Sequence, residues 1–245
     1  MATGKNIPFL LRFLKNVPFL LPLVRMFYFK RFPHLQRLLM GLEFDNPVGV
    51  AAGIDKRGEY TDIISCFSPA FIEIGPVRDV KFAISNLKKR QTGIKVFANL
   101  SNNKDLERNF SLIYDFVDGI VLNVSKNSSV SKAIDHLLEL RRYNDTYKPI
   151  VFKLFSDLDL ETLGEVSKYV LSSGIDGVMV GPELLESIRG KTLGLLPVIV
   201  MAEISTPERA AQMLDSGADL IALTNSPSHY GAMHITKIIK YLEKR

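Results

Sequence analysis

Polar and charged side chains stand where apolar runs end, at intervals along this 245-residue chain. Val48 to Ala52 is an apolar run closed by Gly53 and followed at once by Asp55 and Lys56, the pattern of a buried strand stopping at a loop equipped for chemistry. Gly49, Ala51, Ala52 and Gly53 remove side-chain bulk there, so a flat ligand can lie against backbone beside the Lys56 cation. The same small residues also serve plain strand and helix packing, and composition alone does not choose between the two. Asn99 ends another apolar run, Asn123 and Ser125 a third, and Lys153 interrupts Ile150, Val151, Phe152, Leu154 and Phe155. An inward-facing polar group on a buried strand needs a partner, so each is either part of a site or half of an internal pair. Lys153 is the most informative, because an ammonium among such neighbours demands an anion or an electron-rich ring nearby. Glu73 and Glu203, at the ends of other runs, are the internal candidates.

The elements that position these residues follow a regular beat. Eight apolar, β-branched runs are expected as strands: 48–53, 70–75, 94–100, 119–125, 149–155, 177–181, 197–203 and 219–224. Helical periodicity fills 104–117, 131–143, 159–173 and 206–216 between them. Short, nearly continuous apolar strands alternating with helices mean parallel pairing covered on both faces. Eight such units predict a closed (β/α)8 TIM barrel, with its chemistry at the C-terminal ends of the strands. Gly174 and Gly217, each just before an aspartate-led strand, mark helix ends.

Several of these strings resemble the dihydroorotate dehydrogenase family, in its membrane-associated, quinone-linked class, from about Gly41 to the C-terminus. NPVGVAAGIDKRGE, residues 46–59, is similar to the family's first barrel strand, and Phe71-Ile72-Glu73-Ile74-Gly75 to its second. The resemblance implies oxidation of dihydroorotate to orotate in pyrimidine biosynthesis, with flavin mononucleotide (FMN) as cofactor and quinone as acceptor. It also implies that Ala51, Ala52 and Gly53 face the flavin, that Lys56 meets the orotate carboxylate, and that Asn99 contacts flavin. By the same token Asn123 faces both flavin and orotate, and Lys153 stands beside the flavin's pyrimidine edge, where a cation stabilises the reduced ring.

The departures fall on the chemistry. Lys126 stands where the family has its serine base, and it is either a proton acceptor or a solvated loop residue. Ala202-Glu203 and Thr224-Asn225-Ser226 replace the glycine pair and the Tyr-Ser/Thr-Gly element that hold the flavin phosphate. A carboxylate there repels a dianion unless it turns away or is neutralised. Pro76 replaces a flavin-contacting threonine, Gly181-Pro182 a Thr-Asn pair, and the asparagine-rich substrate loop is missing between Pro76 and Gly93. The expectation is a divergent, shortened member with impaired or lost FMN binding and catalysis, a possible pseudoenzyme. The alternative is a working FMN-dependent oxidoreductase acting on a related small substrate.

Composition narrows the rest. With 47% hydrophobic and 23% charged residues the chain can bury one large core. The lone Cys66 excludes a disulfide framework and a cysteine zinc site, and fits a reducing compartment. His34, His136, His229 and His234 form no liganding pattern with acids, so no metal is expected. The net charge of +5 is concentrated: residues 1–40 hold seven cations, four prolines and no acid, leaving the barrel, 41–245, slightly negative. That distribution and the absence of a known motif argue against nucleic acid as a partner. The opening forty residues alternate Leu and Phe with Arg and Lys too closely for a spanning helix or a signal peptide. They read as basic amphipathic helices, either lying on an anionic membrane surface or packed on the barrel. The first choice places the protein in the cytoplasm, peripheral on the inner face of the cell membrane, with a small anionic ligand at the rim.

Overall fold

The computed structural model describes residues 9–123, 130–154, 160–225 and 229–245, without the side chains of 160–162. Two short helices, α1 (Phe9–Asn16) and α2 (Leu21–Tyr28), lead into a hairpin of β1 (Arg37–Leu39) and β2 (Leu42–Phe44). The alternation then begins. It runs β3 (Val48–Val50), α3 (Thr61–Ser65), β4 (Phe71–Ile74), α4 (Val80–Leu87), β5 (Lys95–Ser101), α5 (Leu106–Ile113), β6 (Gly119–Asn123) and α6 (Val130–Arg142). It continues through β7 (Ile150–Lys153), α7 (Leu160–Ser173), β8 (Gly177–Val180), α8 (Leu185–Lys191), β9 (Val198–Ala202), α9 (Pro207–Asp215), β10 (Leu220–Leu223) and α10 (Met233–Glu243). Strands β3 to β10 pair in chain order, all parallel, and β10 closes on β3, giving the (β/α)8 barrel that the eight runs predict.

Because side chains alternate along a strand, each strand feeds two cores. Outward residues such as Val48, Ile72, Val96, Leu122, Phe152 and Val200 pack under the helices. Inward residues, among them Phe71, Phe97, Val121, Val151, Met179 and Ile199, fill the barrel. The hairpin plugs its floor: Phe44 packs against Phe71 and Phe97, with ring centroids 6.0 and 6.4 Å apart. Gly49 and Gly119 make room for this cluster, since a Cβ on either would overlap the ring of Phe71 or Phe97. The hairpin also straddles the boundary drawn by charge at residues 40 and 41, and its second strand belongs to the barrel core.

The floor repeats one device three times. Asp118, Asp176 and Asp219, each next to the first residue of a strand, accept the N–H of Val96, Ile150 and Val198 on the preceding strand, at 2.8, 2.7 and 2.7 Å. Arg90, Arg141 and Arg189 pair with the same carboxylates. Two of the three follow a left-handed glycine, Gly174 and Gly217, that ends the previous helix. The N-terminal segment lies along α3. Leu11 and Leu14 are buried, Lys15 bonds Glu59 at 2.6 Å, and Tyr28 packs on Phe67. Its other side leaves Phe9, Phe19, Met26 and Phe27 exposed. No helix among the described residues is long and apolar enough to cross a membrane.

Candidate functional site at the barrel rim

The C-terminal ends of the strands carry two unlike arcs. On the first, from β3 to β7, the inward residues one step above the apolar interior are polar: Glu73, Asn99, Asn123 and Lys153. Glu73 is fully buried and is the hub. Its Oε2 accepts the Ala52 N–H at 2.8 Å, and its Oε1 accepts Asn99 Nδ2 at 2.5 Å and faces Lys153 Nζ at 3.5 Å. Of the two internal anions expected for Lys153, the partner is therefore Glu73. A buried carboxylate and ammonium are stable only when paired and hydrogen-bonded, and this cluster supplies both conditions. Asn123 sits beside Lys153 in register and is half-buried, with its carbonyl accepting Asn102 N–H at 2.8 Å.

The first strand's loop is held by a second buried acid. Asp55 Oδ1 accepts the N–H groups of Glu59 and Arg57, and its Oδ2 accepts those of Tyr60 and the Thr61 hydroxyl. Burial raises its pKa from the usual 3.8, against the pull of these donors. The loop then returns to the sheet: Gly53 donates to Gly75 O, and Gly75 donates to Asp55 O. Gly53 has a positive φ and open space where a side chain would stand. Ala51 is packed in the interior and Gly49 yields to Phe71, so for those two the packing reading holds. Lys56 is exposed on this loop. Lys126 and Ser125 fall outside the described residues.

The second arc, from β8 to β10, has the opposite character. Its inward residues are apolar: Met179, in register with Lys153, and the paired Met201 and Ala222. Above them a cavity of about 380 Å³ is lined by Gly181, Glu183, Met201, Glu203, Arg209 and Thr224 among others. Glu203 is partly exposed and held in place: His229 Nδ1 meets its Oε1 at 2.5 Å, and Asn225 Nδ2 lies 3.5 Å from its Oε2. His229 is the residue that strand and motif reasoning missed; the signal was a carboxylate ending one strand and an imidazole shortly after the next. Among the described residues no group of three His, Cys, Asp or Glu could hold a metal ion.

FMN can be tested against this rim. The ring side fits: small residues at 51–53, an open approach over Gly53, and an amide and ammonium on adjoining strands. The phosphate side does not. Two carboxylates, Glu183 and Glu203, line the cavity with one guanidinium, and the Thr224 N–H is used on Ala202 O. A phosphate dianion there faces both carboxylates, Glu203 with His229 on one oxygen, and among the described lining residues the single cation Arg209.

No family model matches the chain. The dihydroorotate dehydrogenase (quinone) of Coxiella burnetii strain Dugway 5J108-111 is 24% identical over 297 aligned positions, covering 87% of this chain and 86% of that protein. That of Pectobacterium atrosepticum is 23% identical, covering 83% and 85%. Among solved structures, a dihydroorotate dehydrogenase of Eimeria tenella in complex with ferulenol superposes with a TM-score of 0.78 at 16% identity, over 94% of this chain and 90% of its own. A mandelate oxidase mutant with a monooxide FMN adduct gives 0.61 at 13% identity, over 86% and 76%.

Proposed function

From the premise that the chain is a divergent relative of the quinone-dependent dihydroorotate dehydrogenases, we propose that it is a barrel of that descent which has kept the ring-facing arc of its rim and lost tight FMN binding, and with it the dehydrogenase reaction. The single observation that carries this is the acidic second arc. Glu203, fixed by His229 and Asn225, and Glu183 share one cavity where a phosphate would have to sit. FMN, when bound in relatives of this fold, supplies hydride acceptance; this chain's own residues offer only half of a seat for it.

A second reading, a working FMN-dependent oxidoreductase for a related small substrate, is favoured by the polar network of Glu73, Asn99 and Lys153. In that reading Glu73 orients Lys153 and Asn99, Asn123 holds a substrate ring, Lys56 draws in a carboxylate, and Lys126 takes the proton. Purified protein separates the two. A colourless preparation whose melting temperature ignores added FMN supports the first. A yellow preparation whose extracted flavin is FMN supports the second.

We further propose that α1 and α2 lie on an anionic membrane surface at the inner face of the cell membrane. The support is an apolar outer side, with Phe9 83% and Phe19 76% exposed, on a segment rich in cations. Liposome flotation with anionic vesicles checks this: full-length protein floats and a variant lacking residues 1–40 does not, whereas equal partitioning refutes it.

A further inference from the structure

The two arcs together define a ligand that neither defines alone. Asn99 is fully buried, its amide nitrogen is engaged by Glu73, and its Oδ1 has no partner. A buried acceptor left open marks the place of a missing donor. Lys153 Nζ reaches the same Glu73 oxygen, so an open acceptor and an ammonium with hydrogens to spare adjoin one another. That pair is complementary to an imide edge, which presents N–H next to C=O on one planar ring. Of the network's three side chains only Lys153 touches solvent, at 14%, so it is the side of the network that faces an incoming ligand.

The second arc then decides what tail the ring can carry. A phosphate monoester brings a charge of about −2 to a cavity holding two carboxylates. A polyol brings hydroxyl hydrogens, which Glu183 and Glu203 accept and which Asn225 and Thr224 can supplement. Arg209, the one cation lining the cavity among the described residues, also bonds Gln212 at 3.3 Å.

We propose that the rim is a site for a planar imide without a phosphate, of the class represented by riboflavin, and that it discriminates against the phosphorylated form. The proposal rests on the loss of FMN binding argued above and gives that loss a direction: selection rather than decay.

Fluorescence-quenching titrations of the full-length protein with riboflavin, lumichrome and FMN test it. Riboflavin is expected to saturate, lumichrome to bind through the ring alone, and FMN to bind at least about tenfold more weakly than riboflavin. Asn99→Ala is expected to abolish riboflavin binding. Glu183→Gln combined with Glu203→Gln alters only exposed groups and keeps the fold; it is expected to close the gap chiefly by strengthening FMN. If no flavin binds, the proposal fails while the loss of FMN binding stands. Should FMN bind as tightly as riboflavin, both fail. A gap untouched by the double substitution overturns the proposal as well.

Discussion

Two arcs of one rim, built on strands of the same barrel, differ in how their charges are settled. Between β3 and β7 a carboxylate, an amide, an ammonium and a backbone N–H close on one another, with only the lysine reaching solvent. Between β8 and β10 the carboxylates stay at the surface, one held by an imidazole and the other lying over Gly181. Burial makes the first arc a structural commitment as well as a binding face. Exposure leaves the second free to change charge at little cost to folding, and there two carboxylates, Glu183 and Glu203, line the cavity.

The contrast is sharpest in stability. Glu73→Ala strips the partner from a buried ammonium and orphans two donors, and is expected to cost about 3–5 kcal/mol in urea denaturation. Glu203→Ala removes an exposed pair and is expected to cost no more than about 1 kcal/mol. Equal losses would dissolve the distinction. Beneath the rim, Gly49→Ala and Gly119→Ala push a methyl into the floor phenylalanines and should each cost about 1–3 kcal/mol by the same measurement. A neutral result would mean that the floor is loosely packed.

The buried Asp55 adds a pH signature to the polar side. Its folded pKa lies above the unfolded value near 3.8, so the folded chain holds a proton that the unfolded chain releases. This contribution to stability is therefore fully present below about pH 4 and falls as pH rises through the folded value. Asp55→Asn cannot ionise, so the difference in stability between the wild type and this variant should shift in that direction across the acid range; a constant difference would contradict it. The smallest effect belongs to Lys15→Ala, which breaks a partly exposed tie between α1 and the Asp55 loop and should cost about 1 kcal/mol or less.

The barrel was legible because strand period and helix period alternate eight times, and every strand falls on its expected run, most ending one or two residues inside it, β3 three inside and β5 one beyond. Lys153 and its need for an anion were legible from burial alone. The choice between Glu73 and Glu203 was not, because which strand ends face each other across a closed barrel is set by register. The hairpin was hidden by its three-residue strands, inside a segment dominated by cations and prolines. Gly174 and Gly217 announced the helix ends before two of the floor aspartates, while the bonds of all three to the preceding strand needed the fold. Asn99 was readable as a site residue, but its unpartnered oxygen appears only once Glu73 claims its nitrogen.

The claim at the centre is that charge on the second arc keeps FMN out of a rim otherwise fit for its ring. Isothermal titration of FMN into the wild type and into Glu203→Gly tests it most directly. The account predicts weak or absent binding by the wild type and an affinity higher by about tenfold or more in the variant. Equal affinities, or tight binding by the wild type itself, would contradict it.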